Sequence, residues 1–264
     1  MSETMEIIDS HAHLFLPEFE GDYPGVLQRA RESGVRRIVN VGLGPRTNAL
    51  VLDAFRETPG LHPTVGWHPN SVEGLTEADL PPLASLLDLP GVVAFGEIGL
   101  DYYRGKDFVE TQRKALPMLL EVAAGGRKPV IIHCREAWDD FFDLMGPHWA
   151  SLKAVLLHCY SGDGRVTKKA LDLGCHFSYA GAITYKNAEA LRDTIPMIPA
   201  DRLLIETDAP FLAPVPKRGK RNEPALLALT AESLARARGL EPAEAAALTS
   251  ENAVRLFGLT GPGL

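Results

Sequence analysis

The sequence has few cysteines and no long hydrophobic run. Its three cysteines, Cys134, Cys159 and Cys175, form no Cys-x-x-Cys pair, and their odd number does not indicate a disulfide framework. Reduced thiols of this kind are typical of the cytoplasm, so we expect a cytoplasmic protein. No apolar run is long enough to cross a bilayer, and the acidic segment at residues 1–6 lacks the hydrophobic centre of a signal peptide. We therefore expect no membrane partner.

Positive charge is also scarce. The 27 Lys and Arg residues are outnumbered by 34 Asp and Glu residues, which gives a formal net charge of −7. This balance excludes a broad basic surface that binds nucleic acid nonspecifically. It does not exclude a nucleic-acid substrate held through bound cations, because the formal count omits metal charge. No helix-turn-helix or zinc-finger pattern is evident, so we expect weak sequence specificity on any nucleic acid.

The chain does contain a regular alternation of short strand-like runs with longer amphipathic runs. The predicted strands cover residues 7–11, 37–41, 64–67, 92–97, 130–133, 154–158, 176–179 and 202–208. Strict alternation predicts a parallel sheet with crossover helices, and eight units in 264 residues favour a closed (β/α)8 barrel. No linker or repeat divides the chain, so we expect one domain over residues 1–264. Helices are predicted at 109–124 and at 188–195, and Pro117 is expected to kink or split the first of these.

Residues that can bind metal stand at the predicted carboxyl ends of five strands. They are His11, His13, Glu97, His133, His158 and Asp208. The two histidines of the His-x-His pair lie on one side of their strand, because side chains alternate. In a barrel the strand ends meet at one mouth, so we expect the six side chains to converge. Four imidazoles and two carboxylates exceed the needs of one tetrahedral zinc and predict two divalent ions. These donors suit Zn, Mn, Fe, Co or Ni, and Mg less well.

Six short motifs surround these residues in a fixed order. They are Asp9-Ser10-His11-Ala12-His13, Gly96-Glu97-Ile98-Gly99-Leu100-Asp101-Tyr102, His133-Cys134-Arg135, His158-Cys159-Tyr160-Ser161-Gly162, Glu206-Thr207-Asp208-Ala209-Pro210 and Arg221-Asn222-Glu223-Pro224. Together they resemble the TatD family of metal-dependent deoxyribonucleases, from residue 7 to about residue 258. That family belongs to the amidohydrolase superfamily and has a (β/α)8 barrel.

The resemblance implies a division of the ligands between two ions. His11, His13 and Asp208 would hold one ion, His133 and His158 the second, and Glu97 would bridge them. It also implies that DNA is the substrate and that the activity is a 3′-to-5′ exonuclease. A barrel mouth admits a strand end or a single strand more easily than intact duplex, so we expect action on single strands.

Two acidic residues have further predicted roles. Asp208 is expected to take the proton of the attacking water, because a carboxylate that contacts both metal and water can orient and deprotonate that water. Glu206 shares a face with Asp208 and would lie one layer deeper. We expect Glu206 either to fix the tautomer of a ligand histidine or to act as a buried salt-bridge partner.

His68 and Arg135 are candidates for substrate contact. His68 ends the third predicted strand and would contact phosphate or have a structural role. Arg135 follows His133 by two residues and could bind phosphate with two hydrogen bonds. The alternative for Arg135 is an ion pair with Glu136 or Asp139.

Arg221 and Asn222 are the other two candidates for substrate contact. Both precede a helix predicted to begin near Pro224, and a helix N-terminus attracts anions. Arg221 also ends the run 217–221, which has four basic residues within five. At the mouth of an acidic protein, this run is expected to attract phosphate.

Three residues near the predicted mouth have two interpretations each. Trp67 and Tyr102 could stack on a nucleobase, or they could belong to the core. Asp101 could orient a metal ligand or cap a helix.

The sequence therefore predicts a divalent-metal-dependent hydrolase that cleaves phosphodiester bonds in DNA by means of a metal-bridged water. The same centre could instead hydrolyse another bond, such as the ester of D-aminoacyl-tRNA, an amide or a lactone. A metal-bound scaffold without catalysis is a third interpretation, which the complete ligand set disfavours. No obligate protein partner is evident in the sequence.

Overall fold

The computed structural model describes residues 6–264, so the first five residues of the acidic N-terminal segment lie outside the described range. Within it, eight parallel strands form one sheet in chain order. They are β1 (Ile7–Ala12), β2 (Val35–Val41), β3 (Leu61–Val65), β4 (Ala94–Asp101), β5 (Val130–Arg135), β6 (Val155–Leu157), β7 (His176–Tyr179) and β8 (Leu203–Ile205).

The two edges of this sheet meet. Beyond the end of β8, Ala209 forms a parallel bridge with Ala12 at the end of β1. The Asp208 amide donates to the His11 carbonyl at 2.9 Å, and the His13 amide donates to the Ala209 carbonyl at 2.8 Å. The sheet is therefore a nearly closed barrel, and the predicted (β/α)8 fold is confirmed.

Helices connect successive strands and cover the outside of the barrel. The α-helices of residues 6–264 are α1 (Tyr23–Glu32), α2 (Pro45–Glu57), α3 (Leu80–Leu87), α4 (Val109–Gly126), α5 (Trp138–Met145), α6 (Gly164–Asp172), α7 (Glu189–Arg192), α8 (Leu227–Arg238) and α9 (Pro242–Phe257). Two short 3-10 helices matter for the site and cover Pro69–Gly74 and Pro224–Leu226. Within residues 6–264, no helix is both long and apolar enough to span a bilayer.

Strands β3 and β4 are displaced from their predicted positions. β3 covers Leu61–Val65 rather than 64–67, and β4 covers Ala94–Asp101 rather than 92–97. The register of β4 against β5 shifts between Phe95 and Ile98. As a result Glu97 lies in the middle of β4 and not at its end, and Asp101 takes the terminal position.

Strand β8 is shorter than predicted. It ends at Ile205, whereas the apolar run had predicted a strand to residue 208. The Thr207 amide donates to Oδ1 of Asp9 at 2.9 Å, so a side chain takes the place of a strand partner. Asp208 has a φ of +54°, outside the β region, and this turns the chain across the mouth of the barrel.

Two helix predictions also change. The helix predicted at 188–195 is a single turn, α7, followed by a 3-10 turn at Ile195–Met197. Helix α4 includes Pro117 and continues to Gly126, so it is not split. Leu116, Leu119 and Leu120 are fully buried beside the proline. Burial of side chains of this size contributes about 1.5–3 kcal/mol each, which offsets the hydrogen bond that Pro117 cannot donate.

Apolar side chains pack the strands against the helices, and the polar residues near the carboxyl ends of the strands form the site. One large buried cluster joins the strands to the surrounding helices. A smaller cluster joins Ile8, Ile131 and Leu204 to Leu256 and Phe257 at the end of α9. Each strand is therefore fixed along its apolar part, which gives the site residues a rigid support.

Candidate metal centre

The carboxylate of Glu97 lies at the centre of the site. Its Oε2 atom is 3.3 Å from Nε2 of His11 and 3.7 Å from Nε2 of His13. Its Oε1 atom is 2.7 Å from Nδ1 of His133 and 2.7 Å from Nε2 of His158. The two oxygens of one carboxylate thus face two different pairs of imidazoles.

Asp208 adds a second carboxylate to one side of this arrangement. Its Oδ1 atom lies 3.4 Å from Nε2 of His13 and 4.0 Å from Nε2 of His11. The left-handed backbone at Asp208 costs roughly 1–2 kcal/mol for an L-residue. Hydrogen bonds offset this, since the Asp208 amide donates to His11 and its carbonyl accepts from the Phe211 amide at 2.8 Å. The turn directs Asp208 to the same place as the His-x-His pair.

Hydrogen bonds behind the imidazoles fix which ring nitrogen carries the proton. His13 Nδ1 is 3.0 Å from the Val41 carbonyl, which can only accept, so Nδ1 is the donor. His133 Nε2 is 3.2 Å from Oδ2 of Asp101, and a carboxylate likewise accepts. In the neutral form that binds a cation, an imidazole has one N–H, so the other nitrogen of each ring then presents a lone pair towards Glu97.

This geometry fits bound cations. His11 Nε2 and His13 Nε2 lie 3.1 Å apart, as do His133 Nδ1 and His158 Nε2. Oε2 of Glu97 is buried and accepts no hydrogen bond from residues 6–264. Converging lone pairs around an unpaired buried carboxylate oxygen are unfavourable unless a cation lies among them. Three sets of side chains have potential ligand atoms within 4.8 Å of one another: His11, His158 and Asp208; His11, His13 and Glu97; and His68, Glu97 and His133.

The electrostatics keep the carboxylates ionised. Burial raises the pKa of Glu97, but His158, His68 and the other imidazoles outweigh it and hold this pKa well below its usual value. Burial also opposes ionisation of Asp208, yet the contact with His13 leaves the pKa of Asp208 lowered. Both side chains are therefore anionic at neutral pH and are ready to bind metal.

Comparison with known proteins identifies the family. The profile described as TatD related DNase matches residues 8–258, nearly the whole chain. The chain belongs to the TatD-related DNase family. The resemblance seen in the motifs is confirmed, and the family consists of metal-dependent hydrolases.

Individual TatD relatives align over almost their full length. "Uncharacterized metal-dependent hydrolase YabD" of Bacillus subtilis (strain 168) is 36% identical over 251 residues, covering 95% of this chain and 98% of YabD. "3'-5' ssDNA/RNA exonuclease TatD" of Erwinia tasmaniensis is 36% identical over 259 residues, covering 96% of this chain and all of that protein. The crystal structure of YJJV, a TatD homolog from Escherichia coli K12, superposes with a TM-score of 0.90 at 31% identity, covering 98% of this chain and 100% of YJJV.

His68 has a different protonation from the other imidazoles of the TatD-family centre. Its Nδ1 accepts a hydrogen bond from the Asn70 amide at 3.1 Å, so the proton of the neutral ring is on Nε2. That Nε2 is 3.4 Å from Oε1 of Glu97. Burial lowers the pKa of His68, which favours the neutral form. His68 therefore directs an N–H and not a lone pair towards Oε1 of Glu97, and its contact with substrate stays a prediction.

Two carboxylates lie behind the ligand set. Oε1 of Glu206 is 3.1 Å from Nδ1 of His158 and accepts from the Cys159 amide at 2.7 Å. Within residues 6–264 Glu206 has no ion pair with Lys or Arg, so its geometry matches the tautomer-fixing alternative. Asp101 performs the same function for His133, and its other oxygen accepts from the backbone amide that follows the strand at Tyr103.

Asp9 is a site residue that the sequence reasoning did not single out. It is fully buried, and it accepts hydrogen bonds from the amide and hydroxyl of Thr207 at 2.9 and 2.5 Å. Burial raises the pKa of Asp9 to about 7. This carboxyl joins β1 to the turn that carries Asp208. The available signal was its position two residues before His11 on the same side of the strand.

Arg135 lies where a substrate could meet it. Its guanidinium carbon is 4.0 Å from the centroid of the Tyr103 ring. Among residues 6–264 it has no carboxylate within 4 Å, so the pairing with Glu136 or Asp139 is not formed. Asp139 instead faces Arg165 at 3.4 Å. The positive charge of Arg135 therefore has no carboxylate partner within residues 6–264, and its contact with phosphate stays a prediction.

Arg221 is placed differently from the prediction. Its guanidinium contacts Oδ2 of Asp22 at 2.5 Å and Oε2 of Glu223 at 3.3 Å, and it also donates to the Glu18 carbonyl. Arg29 contacts the same two carboxylates. Carboxylates therefore neutralise Arg221, and its contacts hold the loop after β8 against α1.

Asn222 also requires a correction. Its side chain is fully buried, with Nδ2 donating to the Thr207 and Phe211 carbonyls and Oδ1 accepting from the Glu223 amide. Substrate cannot reach this amide in the present conformation. Asn222 positions the loop that carries Asp208, and its buried, hydrogen-bonded amide leaves no group for the predicted substrate contact.

Proposed function

We propose that this protein is a TatD-type deoxyribonuclease that hydrolyses phosphodiester bonds in DNA and removes nucleotides from the 3′ ends of single strands. The observation that carries the proposal is the division of the Glu97 carboxylate, whose two oxygens face separate imidazole pairs at 2.7–3.7 Å. A site of this form suits two divalent ions that act on one phosphoryl group. The names of relatives such as the Erwinia tasmaniensis exonuclease support the nucleic-acid substrate.

Two divalent ions, drawn from Zn, Mn, Mg, Fe, Co or Ni, would occupy this centre. The first would be held by His11, His13 and Asp208 and the second by His133 and His158, with Glu97 shared by both. When bound, such ions lower the pKa of a coordinated water and stabilise charge on a phosphoryl oxygen.

Asp208 is the proposed proton acceptor. It is ionised because contact with His13 lowers its pKa despite burial. Its side chain is 13% exposed, whereas that of Glu97 is 2% exposed, so water reaches Asp208 more readily. A carboxylate in this position can orient the attacking water and take its proton.

His68 and Arg135 are the proposed substrate contacts. The Nε2–H of neutral His68 would donate to a phosphoryl oxygen, since its Nδ1 is already occupied by the Asn70 amide. The unpaired guanidinium of Arg135 would bind a phosphate with two parallel hydrogen bonds. These two proposed contacts do not involve the basic run at residues 217–221.

The test is hydrolysis of single-stranded oligodeoxynucleotides by protein that has been stripped of metal and reloaded with Mg²⁺, Mn²⁺ or Zn²⁺. A 5′-labelled strand should shorten stepwise, and a 3′-labelled strand should release its label as a mononucleotide in the first step. Asp208→Asn should abolish cleavage, whereas Glu110→Gln, at a carboxylate that is 81% exposed on α4, should not.

The opposite result would redirect the proposal. If metal analysis finds bound ions and no oligonucleotide is cut with any of the three metals, the phosphodiesterase proposal fails. D-aminoacyl-tRNA would then be the next substrate to test, followed by amides and lactones.

A further inference from the structure

Two exposed aromatic rings lie next to the metal centre on different sides. The Phe211 ring is 37% exposed, and its centroid is 6.3 Å from that of His13. Tyr103 is 56% exposed and lies two residues after Asp101, whose carboxylate contacts His133. One ring therefore neighbours the His-x-His side of the centre, and the other neighbours the His133 side.

An arginine guanidinium lies over the face of each exposed ring. The guanidinium carbon of Arg135 is 4.0 Å from the Tyr103 centroid, and that of Arg104 is 5.9 Å from the Phe211 centroid. Neither arginine forms an ion pair with any residue in the range 6–264. Arg221 differs, since two carboxylates contact it. We call Tyr103, Arg104, Arg135 and Phe211 the aromatic–arginine rim.

The backbone of the rim is fixed to the ligand-bearing elements. Oδ1 of Asp101 accepts from the amides of Tyr103 and Arg104 at 3.0 and 2.8 Å, and its Oδ2 contacts His133. On the other side the Phe211 amide donates to the Asp208 carbonyl at 2.8 Å. The positions of both rings are thus tied to metal-binding residues, which holds the rim ready for a ligand.

The other two aromatic candidates near the mouth, Trp67 and Tyr102, are hydrogen-bonded through their polar atoms and pack against the core. Trp67 is 7% exposed and donates from Nε1 to the Ser71 carbonyl. The Tyr102 hydroxyl donates to Oδ2 of Asp140 at 2.5 Å, and its ring packs against the core. The rings of Tyr103 and Phe211 are therefore more accessible for base stacking than those of Trp67 and Tyr102, which the sequence had suggested.

We propose that the aromatic–arginine rim binds the terminal nucleotides of a single strand, with unpaired bases stacked on Tyr103 and Phe211 and phosphates bound by Arg104 and Arg135. The inference rests on the proposed nuclease function and assigns its substrate-binding residues. Stacking on aromatic rings tolerates any base, because every base has a π face. Paired bases in a duplex do not present those faces, so the rim selects frayed or single-stranded ends.

Substrates that keep their phosphates and lose their bases give the sharpest test. We would compare a single-stranded oligodeoxynucleotide with one whose last two 3′ residues are abasic. Wild-type protein should show a KM that is roughly 10-fold higher for the abasic end, because the stacking contacts are lost. Tyr103→Ala and Phe211→Ala should each raise KM for the normal end and reduce the difference between the two substrates, and the double variant should leave little difference.

Matched variants separate stacking from a structural role. Tyr103→Phe and Phe211→Tyr retain the rings and should keep the preference for the normal end. Leu50→Ala removes an apolar side chain that is 40% exposed on the outer helix α2 and should change neither KM. A variant that merely damaged the fold would lose activity equally on both substrates.

The two arginines have a separate readout in salt dependence. Arg104→Ala and Arg135→Ala should each reduce the slope of log KM against log salt by about 0.7, the value for one phosphate on a single strand. Arg56→Ala is the control, because that arginine is exposed on α2 and pairs with Asp53. An unchanged slope in both rim variants would contradict the phosphate contacts.

The outcomes distinguish this inference from the proposed function. Equal KM values for normal and abasic ends in the wild-type protein would overturn the rim while leaving the nuclease intact. Equal losses on both substrates in the alanine variants would do the same. Failure of metal-loaded wild-type protein to cleave any oligonucleotide would remove the proposed function, and the rim inference with it.

Discussion

At the metal centre, the atom behind four of the imidazoles decides what the ring can do on the side that faces the site. The Val41 carbonyl fixes the proton of His13, Asp101 that of His133, and Glu206 faces Nδ1 of His158. His68 has the opposite arrangement, because a backbone amide donates to it. These rings therefore divide into lone-pair donors for metal and one N–H donor for substrate, although all are histidine in the sequence.

Glu206→Ala should lower metal affinity about 10- to 100-fold, because His158 loses the acceptor that fixes its tautomer. Glu206→Gln keeps an oxygen for Nδ1 of His158 and should lose less. Calorimetric titration of Mn²⁺ or Zn²⁺ into stripped protein measures the change. Affinities of both variants within twofold of wild type would refute the assigned role.

His62 is a buried histidine outside the centre. It is 5% exposed on β3, and its Nε2 atom has no hydrogen-bond partner within residues 6–264. Burial, together with the nearby charge of Arg37, lowers the pKa of His62 to about 4. The ring is therefore neutral in the folded protein at pH values where the unfolded chain protonates it.

This pKa sets the sign of a pH effect on stability. Between the unfolded pKa of 6.5 and the folded value of about 4, the unfolded state binds the extra proton at His62, so this residue disfavours folding as pH falls. The full effect is about 3 kcal/mol. Urea unfolding of His62→Gln at pH 7 and pH 4.5 should show a smaller loss of stability at low pH than wild type. Parallel pH dependences would contradict the prediction.

At the scale of single elements, β4 shows how close packing places Glu97. Gly99 pairs with His133 of β5 and has a φ of +145°. A Cβ atom at Gly99 would lie 1.9 Å from the His133 carbonyl oxygen. Only glycine allows this approach of the backbones, which brings Glu97 and His133 to the same centre.

Gly99→Ala should destabilise the protein by about 3 kcal/mol, because β4 must move away from β5 or the backbone must strain. Gly125→Ala on α4 is the matched control, since its Cβ would meet nothing within 4 Å. That change should stabilise the helix by about 0.5–1 kcal/mol. Urea unfolding measures both, and a Gly99→Ala variant as stable as wild type would refute the packing argument.

The strand pattern was predictable at this scale, and the exact strand ends were not. β-branched apolar runs and intervening amphipathic runs gave all eight strands, because burial against helices demands these periodicities. The end of β8 depends on Asp9, nearly two hundred residues away, because its carboxylate accepts a hydrogen bond from the Thr207 amide. Local patterns carry no information about such a partner.

At the scale of the whole molecule, the candidate metal centre joins distant parts of the chain. Its candidate ligands come from β1, β4 and β5 and from the segments that follow β1, β6 and β8. A cation bound among them would connect the first strand of the barrel to the last. Metal binding should therefore stabilise the complete fold and not one element alone.

Removal of metal by EDTA should lower the melting temperature, and reloading should restore it. Binding at 100 times the dissociation constant contributes about 2.7 kcal/mol, and each kcal/mol shifts the midpoint by about 2–4 °C in a protein of this size. We expect a shift of about 5–10 °C by scanning calorimetry. Glu97→Gln should respond much less to reloading, and an unresponsive wild-type protein would contradict a cation site in the folded state.

The sequence alone determined the barrel, the family and the six residues that converge on one mouth. The barrel follows from the periodicity of the chain and the candidate ligands from polar residues in or near the ends of predicted strands, which are local properties. The family followed from the resemblance of the six motifs. Only the tertiary structure decided that Asn222 is buried, that carboxylates neutralise Arg221, and that the charge of Arg135 stays unpaired. The physical reason is that the function of a polar side chain depends on the partners that surround it, and the fold brings those partners from remote positions.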